Sequence, residues 1–390
     1  MKNIIDHENL NQKKVLLRLD LNVPLKNGFI TDETRIDKIL PIIKFLLEKN
    51  SKIIIISHIG RPNGKINKDL SLKPVCENLE KKINKKIKII NYDIYKLSKE
   101  DLFENLNEQI VFLENIRFYG EEEKNDVNFS KHLAKLGDLF VNDAFSCSHR
   151  NHASVCKITE FLPSFAGIQL EKEINALKKV TSEIKKPVTC IIGGSKISTK
   201  IKVIKNLITK FDNIIIVGGM ANNIFSYKGN KIGKSIKEEN CEKIIDNIFE
   251  ISKKYSCKII YPEDVLVGKS KDDESQTKNL DEVKDNDIIL DIGPKTINKI
   301  KDIINISKTV LWNGPAGFFE NPNFANGSFE IAKAIIHKSD SIYSVAGGGD
   351  TVALINQLNM FDNFNFVSTA GGAFLEFLEG KELPGIKALK

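Results

Sequence analysis

Only five of the 58 basic residues in this chain are arginine: Arg18, Arg35, Arg61, Arg117 and Arg150. The rest are lysine, so a diffuse positive charge is supplied by lysine almost everywhere. An arginine kept against that bias points to a need for a planar, permanently charged fork that grips a phosphate or carboxylate through two donors. All five fall within the first 150 residues, in His58-Ile-Gly-Arg61, Glu114-Asn-Ile-Arg117, Ser148-His-Arg150, Thr34-Arg35 at a helix start, and Arg18 at a strand. The clustering predicts one anion-binding surface in the N-terminal half. Nearby stand Asp20 and Asn22, His58 and Gly60, and Asn142-Asp143. Such a set suits a small, multiply anionic, hydroxylated metabolite. Asp20 and Asn22 would hold a hydroxyl, and the arginines and His58 a phosphate and a carboxylate. Taken alone, Asp20 also fits a turn cap and His58 a strand-end histidine.

The second half carries glycine in the corresponding places: Gly193-Gly194-Ser-Lys196-Ile-Ser-Thr-Lys200, Gly218-Gly219, Asp291-Ile-Gly293-Pro294, Asn313-Gly314-Pro-Ala-Gly317, Gly347-Gly348-Gly349-Asp350-Thr351 and Gly371-Gly372. Glycines there let backbone N–H groups and helix N-termini approach phosphates, which suits a nucleotide. There is no GxxxxGK[ST], and no GxGxxG opening a helix with an acid about twenty residues on, so neither a P-loop nor a dinucleotide dehydrogenase is indicated. Lys196 and Lys200, four apart, are expected at a helix start on one face, where cations oppose the macrodipole unless an anion is bound. Asp350 is the candidate Mg²⁺ ligand, with an N-cap aspartate as the competing reading.

The elements that must hold these groups alternate strand and helix. Apolar runs at Val15–Leu19, Lys52–Ser57, Lys86–Asn91, Ile110–Leu113 and Leu139–Val141 read as buried strands. Ile36–Glu48 and Leu72–Ile83 have 3.6-residue spacing. A second series of strands is expected at 188–192, 214–217, 258–261, 288–291, 309–312, 342–345 and 364–367. Continuous β-branched runs between amphipathic helices predict parallel sheets covered on both faces. The fold class is therefore α/β: two doubly wound, Rossmann-like lobes with a cleft between them. They are joined by a helical hinge, read from the Pro- and Gly-free run Leu170–Val180, with Pro187 restarting the second half. The expected divisions are 1–169, a connector at 170–186, and 187–372. Ligands in open α/β sheets bind beyond the carboxyl ends of the strands, where the arginines and glycines fall.

Composition narrows the class further. A chain of 390 residues with 41% hydrophobic and 28% charged residues is globular, with room for two domains. No apolar run is long enough to cross a bilayer, and the N-terminus lacks a signal-peptide pattern. Six scattered cysteines without CxxC spacing read as reduced thiols, so the expected location is cytoplasmic. The net charge of +7 is spread among acids with no basic block, so no nucleic-acid or membrane partner is expected.

Eight ordered segments then carry a resemblance. Arg18-Leu-Asp-Leu-Asn-Val-Pro24, Ser57-His-Ile-Gly-Arg-Pro62, Leu113-Glu-Asn-Ile-Arg-Phe118, Asn142-Asp-Ala-Phe145 with His149-Arg150, Gly193-Gly-Ser-Lys196 with Lys200, Trp312-Asn-Gly-Pro315, Gly347-Gly-Gly-Asp-Thr351 and Ser368-Thr-Ala-Gly-Gly372 resemble the phosphoglycerate kinase family over essentially the whole chain. The resemblance implies reversible, Mg²⁺-dependent phosphoryl transfer from 1,3-bisphosphoglycerate to ADP, giving ATP and 3-phosphoglycerate, in a monomer that closes about its hinge. It implies that Asp20, Asn22, Arg35, His58, Gly60, Arg61, Arg117 and Arg150 hold the phosphoglycerate. Gly194, Lys196, Lys200, Gly218, Asn313, Glu320, Gly348, Gly349, Asp350 and Thr351 would hold the nucleotide, with Asp350 on Mg²⁺ and Glu320 on the ribose. Arg35, Lys196, Lys200 and the N–H groups of Gly371 and Gly372 would shield the group in flight. Residues from about 373 to 390 would return to the first lobe. Ala370 and Ser146-Cys147-Ser148 depart from the family's commoner wording without removing a charge. A different acyl-phosphate kinase, and a nucleotide-responsive binding protein without catalysis, remain as rival readings.

Overall fold

Strands that are apolar at every position must be covered on both faces, and the strand Lys52–Ile56 shows how. Ile53 and Ile55 join one hydrophobic cluster, with Val15, Leu17 and the helix residues Ile36, Ile39, Ile43 and Leu46. Ile54 and Ile56 join another, with Leu16, Val111, Phe129, Leu133 and Phe140. The two-residue strand period sorts one sequence run into two cores. The helix facing the first core spans Thr34–Glu48, and the next spans Lys73–Ile83. The computed structural model describes residues 1–91, 93–103 and 109–390. The chain divides into two compact units, Met1–Ile174 with Glu382–Lys390, and Asn175–Lys381.

The first unit's sheet has six strands, all paired in parallel, in the order Ile87–Ile90, Ile110–Leu113, Lys52–Ile56, Lys14–Leu19, Leu139–Asp143, Ser164–Ala166. The chain's first strand thus lies centrally, and later strands are laid down on either side of it.

In the second unit the parallel order is Lys258–Ile260, Asn213–Ile216, Val188–Ile192, Thr309–Asn313, Tyr343–Gly347, Phe366–Ser368. Numbered along the chain, that is the doubly wound order 3-2-1-4-5-6, whose switch point lies between Val188–Ile192 and Thr309–Asn313. Ile191, Ile215, Val310 and Trp312 pack there against Ile297, Ile300, Ile304, Ile331 and Ile335 from two flanking helices. One expected member of this series belongs elsewhere. Ile288–Ile292 pairs antiparallel with Asp264–Gly268, which pairs with Gln276–Asn279 in a separate three-stranded sheet. A short apolar run looks the same whichever neighbour it pairs with.

The helix Ile168–Thr181 contains the boundary between the units. Its first turn is capped from the strand Leu139–Asp143, where Asp143 Oδ1 accepts the Leu170 N–H at 2.9 Å. Near the other end of the chain, the helix Gly371–Leu378 belongs to the second unit, tied by Asn206 Nδ2 donating to Leu378 O at 2.7 Å. The segment counted with the first unit starts at Glu382, and Gly385 N donates there to Ser148 O at 2.8 Å. All six cysteines are free and buried. Among the described residues, no helix is long and apolar enough to cross a membrane.

Candidate active site

Parallel strands end together, so the loops after Leu19, Ile56, Leu113 and Asp143 share one edge of the first sheet. Hydrogen bonds stitch these loops to one another. Arg35, in the first turn of its helix, donates from one guanidinium nitrogen to Asp20 Oδ1 and to Asn22 O, each at 3.0 Å. Asn22 Oδ1 in turn accepts the Gly60 N–H at 2.9 Å. Gly60 O accepts from Arg117 at 2.9 Å, and Asn115 Nδ2 donates to Ile59 O at 2.8 Å and to Leu70 O at 2.9 Å. Asp20, Asn22, Arg35, Gly60 and Arg117 are thereby brought into one array. Arg61 and Arg150 lie exposed at two of the same strand ends, available to an anion in solution.

Arg18 does not belong to that surface. It is fully buried, because the strand period places it on the face of Leu16, turned into the sheet's packing layer and not out beyond the strand end. Its guanidinium donates to Leu19 O at 2.6 Å, Ser154 Oγ at 3.0 Å and His58 Nδ1 at 3.0 Å. His58 is buried as well, and burial together with the Arg18, Arg117 and Arg35 cations holds its imidazole well below the usual histidine range.

In the second unit a cavity of about 270 Å³ opens at the switch point of the sheet. Its glycine side is formed by Gly194, Gly218, Gly219 and Gly317, and its apolar side includes Phe225, Ile236, Val265 and Phe318. Asp291, Glu320 and Asp350 also line it. The two central strands approach so closely that Gly193 N donates to Asn313 O at 2.9 Å. A Cβ on Gly314, whose φ is +105°, would stand 2.3 Å from Gly193 O, so no side chain fits there.

Beside this turn Lys200 Nζ donates to Asn313 Oδ1, and Asn313 Nδ2 donates to Gly347 O at 2.6 Å. Burial of the Lys200 ammonium lowers its pKa, with Asp350 partly opposing. Thr351 is fully buried and its hydroxyl accepts the Gly314 N–H at 2.7 Å, so it braces the turn. Asp350 lies in the first turn of the helix Gly349–Gln357, and Gly371 and Gly372 open the helix Gly371–Leu378. A Cβ placed on Gly349 or Gly371 would meet nothing within 4 Å, so both helix starts face open space.

Lys196 and Lys200 do not share a helical face. The helix spans Ile201–Ile208 with Lys200 as its N-cap, and Lys196 lies in the exposed loop before it. The Glu238 carboxylate takes the Ser198 N–H at 3.0 Å and the Ser198 hydroxyl, and Thr199 Oγ1 donates to Lys196 O at 2.8 Å. Those side-chain bonds hold the approach to the helix, where residues 198–200 form a turn, and postpone the helix.

Sequence reasoning missed the apolar cavity wall and Asp291. Phe225, Ile236 and Phe318 come from three separate stretches without a shared motif. Asp291 caps the helix Asn326–His337 by accepting Gly327 N–H at 2.7 Å, and its burial pushes the carboxyl up to about 7. Among the described residues no cluster of three or more His, Cys, Asp or Glu is poised to hold a metal. A magnesium ion held mainly by phosphates needs only one or two carboxylates from the protein. Asp350, at the cavity edge beside the glycine turns, fits that requirement.

The family model described as phosphoglycerate kinase matches residues 5–381. The chain is 47% identical to the phosphoglycerate kinase of Wolbachia pipientis wMel over 392 residues, covering 99% of this chain and 98% of that one. It is similar to the solved structure of phosphoglycerate kinase from Coxiella burnetii, with a TM-score of 0.90 and 38% identity over 99% of this chain and 98% of that one. The enzyme from Pyrococcus horikoshii OT3 matches with a TM-score of 0.83 and 30% identity, over 100% and 98% of the two chains.

Proposed function

The chain belongs to the phosphoglycerate kinase family, and from that premise we propose that it transfers the acyl phosphate of 1,3-bisphosphoglycerate to ADP, reversibly, yielding ATP and 3-phosphoglycerate. The observation that carries the reading is the glycine-lined cavity at the second sheet's switch point, with Lys200 held beside it by Asn313. A strand-end array of guanidinium groups on the other unit supplies complementary chemistry for the sugar acid.

In the direction of ATP use, the acceptor is a carboxylate, ionised at neutral pH because its pKa lies near ~4. No general base is needed, which suits a site of cations and backbone amides. The difficulty is to align two polyanions and neutralise the oxygens of the group in flight. Arg61, Arg117 and Arg150 would bind the phosphoglycerate, with Asp20, Asn22, His58 and Gly60 orienting it. Arg35, Lys196, Lys200 and the N–H groups of Gly371 and Gly372 would shield the transferring phosphoryl group. Gly194, Gly218, Asn313, Gly348 and Gly349 would cradle the nucleotide, Glu320 would take the ribose, and Thr351 would brace the cradle. Asp350 would hold Mg²⁺, which supplies charge neutralisation to the nucleotide phosphates when bound. Bending in the helix Ile168–Thr181 is the proposed means of bringing the ligands together.

The test is an ADP-release assay with ATP and Mg²⁺, with and without 3-phosphoglycerate. Turnover only with the sugar acid supports the reading. Equal turnover with acetate points to a different acyl-phosphate kinase, and nucleotide binding without any turnover points to a binding protein.

A further inference from the structure

All three guanidinium nitrogens of Arg18 are engaged inside the protein, in a buried chain that the reaction above does not use. Nε donates to Ser154 Oγ at 3.0 Å, and that hydroxyl in turn donates to Glu122 Oε1 at 2.7 Å. Glu122 Oε2 accepts the Ser154 N–H at 2.8 Å. Glu122 is fully buried, although it stands in the run Glu121-Glu122-Glu123 that reads as a solvated face. Its burial raises the carboxyl pKa, with Arg18 and the Ser154 donors opposing. At the other end, one Arg18 nitrogen lies 3.0 Å from His58 Nδ1 and 3.7 Å from Cys147 Sγ.

A guanidinium carries donors only. A histidine nitrogen 3.0 Å from it must therefore present a lone pair, and the ring's single proton resides on Nε2. We infer that Arg18 is a positioning residue that fixes His58 in the neutral Nε2–H tautomer, so that His58 meets the bound phosphoglycerate as a hydrogen-bond donor whose state does not change with pH across the neutral range. Ser154 and Glu122 hold Arg18 for that task and supply its countercharge through the hydroxyl. The groups acting on His58 agree with this assignment. Arg18 reaches it from its own strand and Arg35 from the first helix. Arg117 lies on the loop after Ile110–Leu113, and Cys147 and His152 lie on the segment after Leu139–Asp143. The three guanidinium groups among these oppose a second proton on the ring. His152, 3.9 Å from Glu122, is itself pushed down to about 3, so it is a neutral neighbour and not the counterion. The inference rests on the proposed role of His58 at the phosphoglycerate.

The experiment combines ¹⁵N-histidine NMR with kinetics across pH 5 to 8, on wild type, Arg18→Met and, should that variant fail to fold, Arg18→Met/Glu122→Gln, which removes both buried charges. An His58→Gln spectrum assigns the resonances. In wild type the His58 signals should show Nδ1 bare and Nε2 protonated, without titration between pH 5 and 8. The KM for 3-phosphoglycerate in the variant should exceed the wild-type value about tenfold at pH 8, one charge-assisted hydrogen bond's worth. Burial, Arg117 and Arg35 still act on the ring in the variant and keep it neutral, so that ratio should hold across the pH range, with kcat little changed. Taking the ratio cancels the titration of the ligand's own phosphate. A proton on Nδ1, a wild-type titration in this window, or a KM ratio near unity at pH 8 would overturn the inference. Wild-type protein that does not turn over 3-phosphoglycerate would overturn the proposed function instead, and the NMR result on the tautomer would stand independently.

Discussion

Replacing Gly348 by alanine should cost stability and activity together, by a route visible in the structure. Gly348 is the N-cap of the helix Gly349–Gln357, with φ 101° and ψ 142°. A residue with a side chain occupies that region at a cost of ~1–3 kcal/mol. The new Cβ would also lie 2.5 Å from Asn313 Nδ2, too close for either atom to stay. Asn313 is buried and doubly engaged, donating to Gly347 O at 2.6 Å and accepting from Lys200 Nζ. Losing one of those bonds adds ~1 kcal/mol, and more if it is the one to the ammonium. The sum is ~2–4 kcal/mol, to be read as a lower urea midpoint at unchanged slope. Activity is measured in the coupled assay at a temperature where the variant is fully folded. A displaced Lys200 should lower kcat at least about tenfold, as losing one preorganised donor typically does. Gly349→Ala is the internal control. Its Cβ meets nothing within 4 Å and an alanine there favours the helix by up to ~1 kcal/mol, so its stability should not fall. Should Gly348→Ala unfold within 0.5 kcal/mol of wild type (~0.5 being ordinary for a neutral surface change) and keep its kcat, the account of Asn313 as the mount for Lys200 is wrong.

Three other outcomes are expected. Arg35→Lys keeps the charge but loses the fork, and should lower turnover at least about tenfold in the coupled assay; an unchanged kcat excludes Arg35 from transition-state shielding. Asp350→Asn should raise the Mg²⁺ concentration for half-maximal rate about tenfold while leaving the urea midpoint in place, since the residue is exposed and lines the cavity; an unshifted Mg²⁺ curve removes it from the metal. Asp291 gives a pH signature: burial raises its pKa from 3.8 to about 7, so its contribution to stability is present at low pH and is lost as pH rises from 4 to 7, by up to ~1.4 kcal/mol per pH unit. Asp291→Asn lacks that loss, so the stability difference, variant minus wild type, should grow by a few kcal/mol between pH 5 and pH 8 in urea titrations; parallel profiles would show that Asp291 stays ionised in the fold.

Much of this architecture is legible in local pattern because the physical cause is local. The helix expected over Ile36–Glu48 spans Thr34–Glu48, since one face is apolar and the other is not. Strands such as Lys52–Ile56 and Val188–Ile192 announce themselves as runs dominated by β-branched residues, because both faces are covered. The strand Ile288–Ile292 was equally visible as a strand, and its partner was not: pairing depends on the chain that lies alongside, which no short window contains. Lys196 fails for a related reason. Its spacing from Lys200 fits a helix, but the Glu238 side chain, forty residues on from Ser198, claims the intervening backbone.

The five arginines mark the limit of reasoning from composition. Scarcity singles out positions where lysine does not serve, and it does so without distinguishing the two reasons for which lysine fails. Arg35, from the first turn of its helix, and Arg117, after the strand Ile110–Leu113, both bond to the strand-end loops. Arg18 sits in the packing layer, where three donors must be satisfied at once by a carbonyl, a hydroxyl and an imidazole. A lysine there could direct an ammonium at one of these partners but could not span all three in a plane. At His58, one ring nitrogen is held from inside the protein by Arg18, and the proposed role of the other is to meet the bound phosphoglycerate. Residue type therefore identifies the demand for a fork, and only placement in the fold decides whether that fork stands at the strand ends or is turned into the packing layer.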